Sequence, residues 1–176
     1  MRILVTGAAA SGKSAFAENR VCELGGELVY IATMLVRGSE DAARVLKHQN
    51  ERTGKGFTTF EITCAADLQH IANELPQDAC VLLEDLANLV SDTLFSRDGT
   101  MREASLVHDE ILTGLDALAL RAEHVVLVGN ELGSDIAPEG LETKQYLKLV
   151  GGTAQQYAAR CDEVFEVVSG IAQKIA

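Results

Sequence analysis

Residues 7–14 read Gly7-Ala8-Ala9-Ala10-Ser11-Gly12-Lys13-Ser14, the spacing G-x-x-x-x-G-K-S. That spacing suits phosphate chemistry for physical reasons. Glycines let the backbone curl so that successive N–H groups point at one spot, which makes an anion-binding nest. Lys13 is placed to reach the β- and γ-phosphates of a nucleotide, and Ser14 to ligate Mg²⁺. A helix starting there would aim its positive end at the same phosphates. Glycine-containing turns match short motifs by chance, so the flanks decide. Here the apolar run Ile3-Leu4-Val5 precedes the loop and an amphipathic stretch over 15–24 follows it.

Two further groups could do chemistry. Glu84 and Asp85 close the apolar run Cys80-Val81-Leu82-Leu83. A carboxylate at the end of a strand beside a phosphate loop can bind Mg²⁺ or orient its water. Glu84 is the first choice for this role and Asp85 the reserve, against the plain alternative of an ordinary strand-end charge. Arg44, His48 and Arg52 recur every four residues, so a helix would present them on one face. Two guanidiniums beside an imidazole disfavour its protonation, and neutral imidazole is the nucleophilic form. Arginine also suits bidentate phosphate binding. On spacing alone, a solvated helix face is the simpler account of these three.

The elements that must position these residues alternate. Strands are expected over 2–6, 28–32, 57–62, 80–85, 124–129 and 164–168, and helices over 13–24, 40–52, 65–75 and 141–160. The stretch 86–120 reads as helical with a break at 97–99, and 130–140 as a polar loop containing Pro138. Gly151 and Gly152 sit inside the last helix and weaken it by about 1 kcal/mol each. Ser169-Gly170 is the turn of a terminal hairpin completed by 171–175. Thr33 and Met34 follow a strand, where open α/β sheets place ligands. The expectation is α/β: a three-layer, doubly wound, mostly parallel central sheet of P-loop NTPase-like type with a C-terminal antiparallel hairpin strand, in one domain over 1–176.

Composition narrows the function classes. A chain of 176 residues with 47% hydrophobic content suits one globular domain burying about 70% of its unfolded surface. The apolar runs are too short to span a membrane as helices, and Met1 leading directly into a strand predicts no secretory signal. The net charge of −11, from 26 acidic and 15 basic residues, opposes nonspecific nucleic-acid binding. It does not oppose nucleotide binding, which works through local dipoles and one lysine. Cys22, Cys64, Cys80 and Cys161 are widely spaced, which predicts buried thiols in a reducing cytoplasm rather than disulfides or zinc.

Several segments together have a more specific resemblance. They are Ile3-Leu4-Val5-Thr6-Gly7 with the loop, Tyr30-Ile31-Ala32-Thr33, Ala42-Ala43-Arg44-Val45 leading to His48, and Val81-Leu82-Leu83-Glu84. Asn130-Glu131-Leu132-Gly133 with Ile136 and Pro138-Glu139 continues the pattern, and Asp162-Glu163-Val164 to Val168-Ser169-Gly170-Ile171 ends it. In these the chain resembles the bifunctional adenosylcobinamide kinase/adenosylcobinamide-phosphate guanylyltransferases of cobalamin biosynthesis, nearly end to end. The loop is generic; Arg44-Val45-x-x-His48 and the Asn130-Glu131 loop make the likeness specific.

The resemblance implies an enzyme with two activities and Mg²⁺ as cofactor, the kinase step using ATP or GTP and the guanylyl step GTP. It phosphorylates the corrinoid adenosylcobinamide, then moves GMP from GTP onto that phosphate through a guanylylated histidine, whose position His48 occupies. Family residues that hold the nucleotide fall on Gly7, Ala8, Ala9, Ala10, Ser11, Gly12, Lys13 and Ser14, on Ala32, Thr33 and Met34, on Gln49, Asn50, Glu51 and Arg52, and on Glu61 and Glu84. Ser14 and Glu84 are the Mg²⁺ ligands, Lys13 and His48 the catalytic pair, and a cytoplasmic homo-oligomer is expected. Two other readings share the loop: a P-loop kinase without the guanylyl step, and a GTP-binding interaction protein that hydrolyses little. The chain departs from the family pattern at four places. It has Ala8-Ala9-Ala10 for Gly-Ala-Arg, Asp135 for a glycine, Tyr146-Leu147-Lys148 for aromatic-Arg-Asp, and Gly151-Gly152-Thr153-Ala154-Gln155 for G-R-x-N-Q.

Overall fold

The apolar runs of the sequence become the middle of one sheet because they can be buried on both faces. The computed structural model describes residues 1–33, 54–96, 99–132 and 140–176. In chain order the elements are β1 (Arg2–Thr6), α1 (Lys13–Leu24), β2 (Glu27–Ala32), β3 (Thr58–Glu61), α2 (Asp67–Glu74) and β4 (Ala79–Glu84). There follow α3 (Leu86–Leu94), α4 (Ala104–Arg121), β5 (His124–Val128), α5 (Leu141–Ala158), β6 (Glu163–Val168) and β7 (Ile171–Lys174).

The strand order is β3-β2-β4-β5-β1-β6-β7, parallel throughout except for the β6–β7 pair. The continuous apolar strands β4, β5 and β1 lie side by side at the centre, while the more polar β3 and β7 form the edges. Alternation sorts each central strand into two cores. Leu4, Val81, Leu83, Val125 and Leu127 face a layer built from α2, α3, α4 and α5. Ile3, Val5, Cys80, Leu82, Val126 and Val128 face Ala17 and Val21 of α1. This is the mostly parallel α/β arrangement with an antiparallel end expected of a P-loop NTPase-like chain.

Element ends follow local chemistry. Helix α1 stops at Gly25, which has φ 79°, and its N–H closes on the Val21 carbonyl. Helix α2 is shorter than the expected 65–75. The Asp67 carboxylate accepts N–H groups of Thr63 and Cys64, which holds the preceding turn, and Pro76 pushes Leu75 out of the helical region. The helical stretch after β4 divides into α3 and α4, with Phe95 and Met101 bridged between them. The two glycines expected to weaken the last helix lie within α5.

The helix expected over 40–52 lies outside the described residues. One expectation is corrected: of the four thiols only Cys80 is fully buried, Cys64 and Cys161 are half-buried, and Cys22 is exposed. Cys22 belongs to the helix whose sheet-facing stripe is Ala17 and Val21, so its own side chain faces outward. All four cysteines are free. Among the described residues no helix is long and apolar enough to cross a membrane.

Candidate active site

The loop over residues 7–14 leaves β1 and turns back at once, Ser11 N–H donating to the Ala8 carbonyl at 3.2 Å. Gly7 is where neighbouring backbone approaches closest. A Cβ there would stand 2.5 Å from the Val167 carbonyl oxygen and 2.7 Å from Ser11 Oγ. Gly12 is the N-cap of α1 and is held at φ 94°. Ala10 adopts φ 58°, a left-handed conformation that costs a residue with a Cβ about 1 kcal/mol. The N-cap of α1 is a glycine, so among the described residues no cap side chain takes the amino end of this helix. Its first N–H groups therefore remain available, as an anion site requires. Lys13 is only 8% exposed, and its ammonium curls over the loop to donate to the Ala8 carbonyl at 3.2 Å.

Opposite the loop stand the carboxyl ends of β4 and β5. Ala9, Ala10, Lys13, Ser14, Glu84, Asp85, Asn130, Glu131 and Leu132 line one cleft of about 330 Å³. Glu131 N–H donates to the Gly7 carbonyl at 3.1 Å, so the segment after β5 is tied to the loop. The Glu84 carboxylate accepts from the Tyr30 hydroxyl at 3.2 Å, which fixes its direction from the neighbouring strand. Asp85 is engaged differently, since its carboxylate accepts Asn88 N–H at 2.8 Å and caps α3. The Thr33 hydroxyl closes a reciprocal pair with Asp85, donating to its carbonyl at 2.8 Å and accepting from its N–H at 2.6 Å. Tyr146 of α5 braces the same corner by donating to the Ala87 carbonyl at 3.1 Å. Burial, with Asp85 and Asp92 nearby, pushes its phenol up to about 12, so it stays a donor across the physiological range.

The fold thus brings Ala9, Ala10, Lys13, Ser14 and Glu84 together from three separate elements. Ala32 and Glu61 stand in register at the carboxyl ends of β2 and β3, beside this cleft rather than in its lining. Thr33 is buried, and its hydroxyl is engaged with Asp85. Met34, Arg44, His48, Gln49, Asn50, Glu51 and Arg52 lie outside the described residues. No pattern in the residue order points to Tyr30 as the partner of Glu84, because strand register alone joins them. The capping role of Asp85 was legible, since aspartate followed by an apolar helical run is an N-cap pattern.

That role separates the two carboxylates by experiment. Asp85→Ala is expected to lower stability by about 1 kcal/mol through loss of the cap, whereas Asp85→Asn, which caps as well, should melt like the parent chain. Thermal melts of the two variants check this; equal melting of the Ala and Asn variants would show that the cap contributes nothing to stability.

Comparison with known proteins agrees with this arrangement. A sequence model of the family described as cobinamide kinase / cobinamide phosphate guanyltransferase matches residues 3–175. The chain is 36% identical over 185 aligned positions to the bifunctional adenosylcobalamin biosynthesis protein CobU of Salmonella typhimurium, covering 99% of each chain. It is 34% identical to the protein of the same name from Escherichia coli, again over 99% of both. The bifunctional adenosylcobalamin biosynthesis protein CobP of Pseudomonas aeruginosa is 30% identical, over 97% of this chain and 95% of its own. A match of this extent, on a sheet that gathers the glycine loop and the strand-end carboxylate into one cleft, makes the chain a member of the cobinamide kinase / cobinamide phosphate guanyltransferase family of bifunctional enzymes.

Proposed function

We propose that this protein phosphorylates adenosylcobinamide with ATP or GTP and then transfers GMP from GTP to adenosylcobinamide phosphate through His48. The observation that supports it best is the cleft itself. An uncapped helix start, Lys13 and Ser14 face Glu84 across one space, in a chain that matches the family from residue 3 to residue 175.

In the kinase step the corrinoid hydroxyl attacks the γ-phosphorus and releases its proton to solvent, as the bond from that phosphorus to the β-phosphate oxygen breaks. The loop N–H groups and Lys13 hold the phosphates and balance the charge developing on the leaving diphosphate. In the guanylyl step the same groups hold the β- and γ-phosphates as departing pyrophosphate. A nitrogen of His48 attacks the α-phosphorus as the P–O bond to the β-phosphate breaks. A phosphate oxygen of adenosylcobinamide phosphate then attacks that α-phosphorus, the P–N bond breaks, and the imidazole is restored.

The donor set fits Mg²⁺, a hard cation that takes oxygen ligands. Ser14 and Glu84, which carry a hydroxyl and a carboxylate, line the same cleft. Among the described residues no three His, Cys, Asp or Glu side chains converge, so phosphate oxygens would complete the shell. When bound, Mg²⁺ would neutralise charge on the β- and γ-phosphates. Glu84→Gln is expected to reduce Mg²⁺-dependent turnover far more than stability, because the amide oxygen still accepts from Tyr30. Collapse of melting with full activity in the folded fraction would make Glu84 structural and pass the role to Asp85.

The whole reading is tested by incubating the protein with α-labelled GTP. Acid-labile, base-stable covalent label supports it. Tight GTP binding without label favours a GTP-binding interaction protein, and phosphorylation of the corrinoid without label favours a kinase lacking the second step. The enzyme is further proposed to work in the cytoplasm as a homo-oligomer. Exposed Leu141 and Ile171 are available for subunit contact, and light scattering showing only monomer at working concentration would sink that part.

A further inference from the structure

The end of the chain meets the phosphate loop in three places. Gly170 N–H, in the β6–β7 turn, donates to the Ser11 carbonyl at 2.7 Å. A Cβ built on Gly12 would lie 3.3 Å from Gly170 Cα, and one on Gly7 would lie 2.5 Å from the Val167 carbonyl oxygen. The hairpin is itself held in place. Glu163 of β6 accepts from Arg20 of α1 and from Lys174 of β7, each at 2.9 Å, and β6 pairs with β1 along Ile3 to Thr6.

The turn has a defined shape. Ser169 has φ 50° and Gly170 φ 82°, positive at both central residues, as a type I′ hairpin turn requires. Val168 and Ile171 pair across it. That shape decides where Gly170 N–H points, and so whether it reaches the loop.

We infer that the Ser169-Gly170 turn is a positioning element for nucleotide binding, aiming the Ser11–Gly12 peptide of the phosphate loop through the Gly170 N–H. In a trans peptide the C=O and the next N–H point in opposite directions. Anchoring the Ser11 carbonyl on the hairpin therefore turns the Gly12 N–H away from it, toward the side where phosphates are bound. At the other end of the loop, the Gly7 carbonyl is anchored by Glu131 N–H. The nest is thus shaped from outside, by segments more than a hundred residues away in the chain. Gly170 is a positioning residue, not a catalytic one, and its role rests on the reading that this loop holds the nucleotide.

Position 170 allows a clean test, because among the described residues a Cβ built there meets nothing within 4 Å. An alanine there acts through backbone conformation alone. Asparagine tolerates the left-handed region, alanine less well, and a β-branched residue hardly at all. GTP affinity in Mg²⁺ buffer is expected to be near the parent value for Gly170→Asn, weaker for Gly170→Ala, and at least tenfold weaker for Gly170→Val. All are measured on full-length protein below its melting point. The KM for GTP should rise in both half-reactions, with kcat for the kinase step changing less. If Gly170→Val does not fold, the Asn and Ala pair still orders the outcome. GTP binding within twofold of the parent in the Val variant, or in Ala where Val is lost, overturns the inference when Lys13→Ala has lost binding. Retained GTP binding in Lys13→Ala overturns the loop reading itself, and this inference with it.

Discussion

Lys13→Ala is expected to abolish both half-reactions while leaving a folded protein. Lys13 is the one cation lining the described part of the cleft, and both reactions need the β- and γ-phosphates held. Losing one well-placed charge contact to a transition state costs on the order of 10²–10³ in rate. The structural cost is small by comparison. The ammonium donates a hydrogen bond to the Ala8 carbonyl, and a hydrogen bond from a charged group contributes about 1.5–3 kcal/mol net. Side-by-side assays of corrinoid phosphorylation and of guanylyl transfer, with circular dichroism to confirm folding, check the expectation. Wild-type turnover of the variant in either step would show that the loop is not the shared phosphate site.

The second large effect divides the two activities. His48→Asn should lose covalent label from GTP and all production of the GDP-linked corrinoid, because no nitrogen remains to form the phosphoramidate. Phosphorylation of adenosylcobinamide should persist, since transfer from the loop to the substrate hydroxyl passes directly in line and needs no protein nucleophile. Retained labelling in the Asn variant would eliminate His48 as the nucleophile. Equal loss of both steps would make it a residue that shapes the pocket for both.

Much of this protein is legible in the order of its residues, for identifiable physical reasons. Strands β1, β4 and β5 are apolar on successive residues because both of their faces are covered, and such runs stand out between polar turns. The ends of α1 and α2 are written in Gly25 and Pro76. The phosphate loop is local: its glycines, Lys13 and Ser14 are neighbours in the chain, so a short motif suffices to find it. Glu84 announces itself as a charge at the end of a buried strand.

Tertiary structure decided what depends on register and on contact across the sheet. No sequence spacing links Tyr30 to Glu84; the parallel pairing of β2 with β4 does. By residue order Glu84 is the first choice for the metal and Asp85 the reserve, and the structure widens that difference by placing Glu84 in hydrogen-bond reach of Tyr30 while Asp85 caps α3. The Ser169-Gly170 turn could be read as a hairpin, yet its place against Ser11 follows only from β6 lying beside β1. Local patterns record what each segment buries and how it turns. The partners that aim a loop or a carboxylate arrive from distant segments, and only the packed sheet selects them.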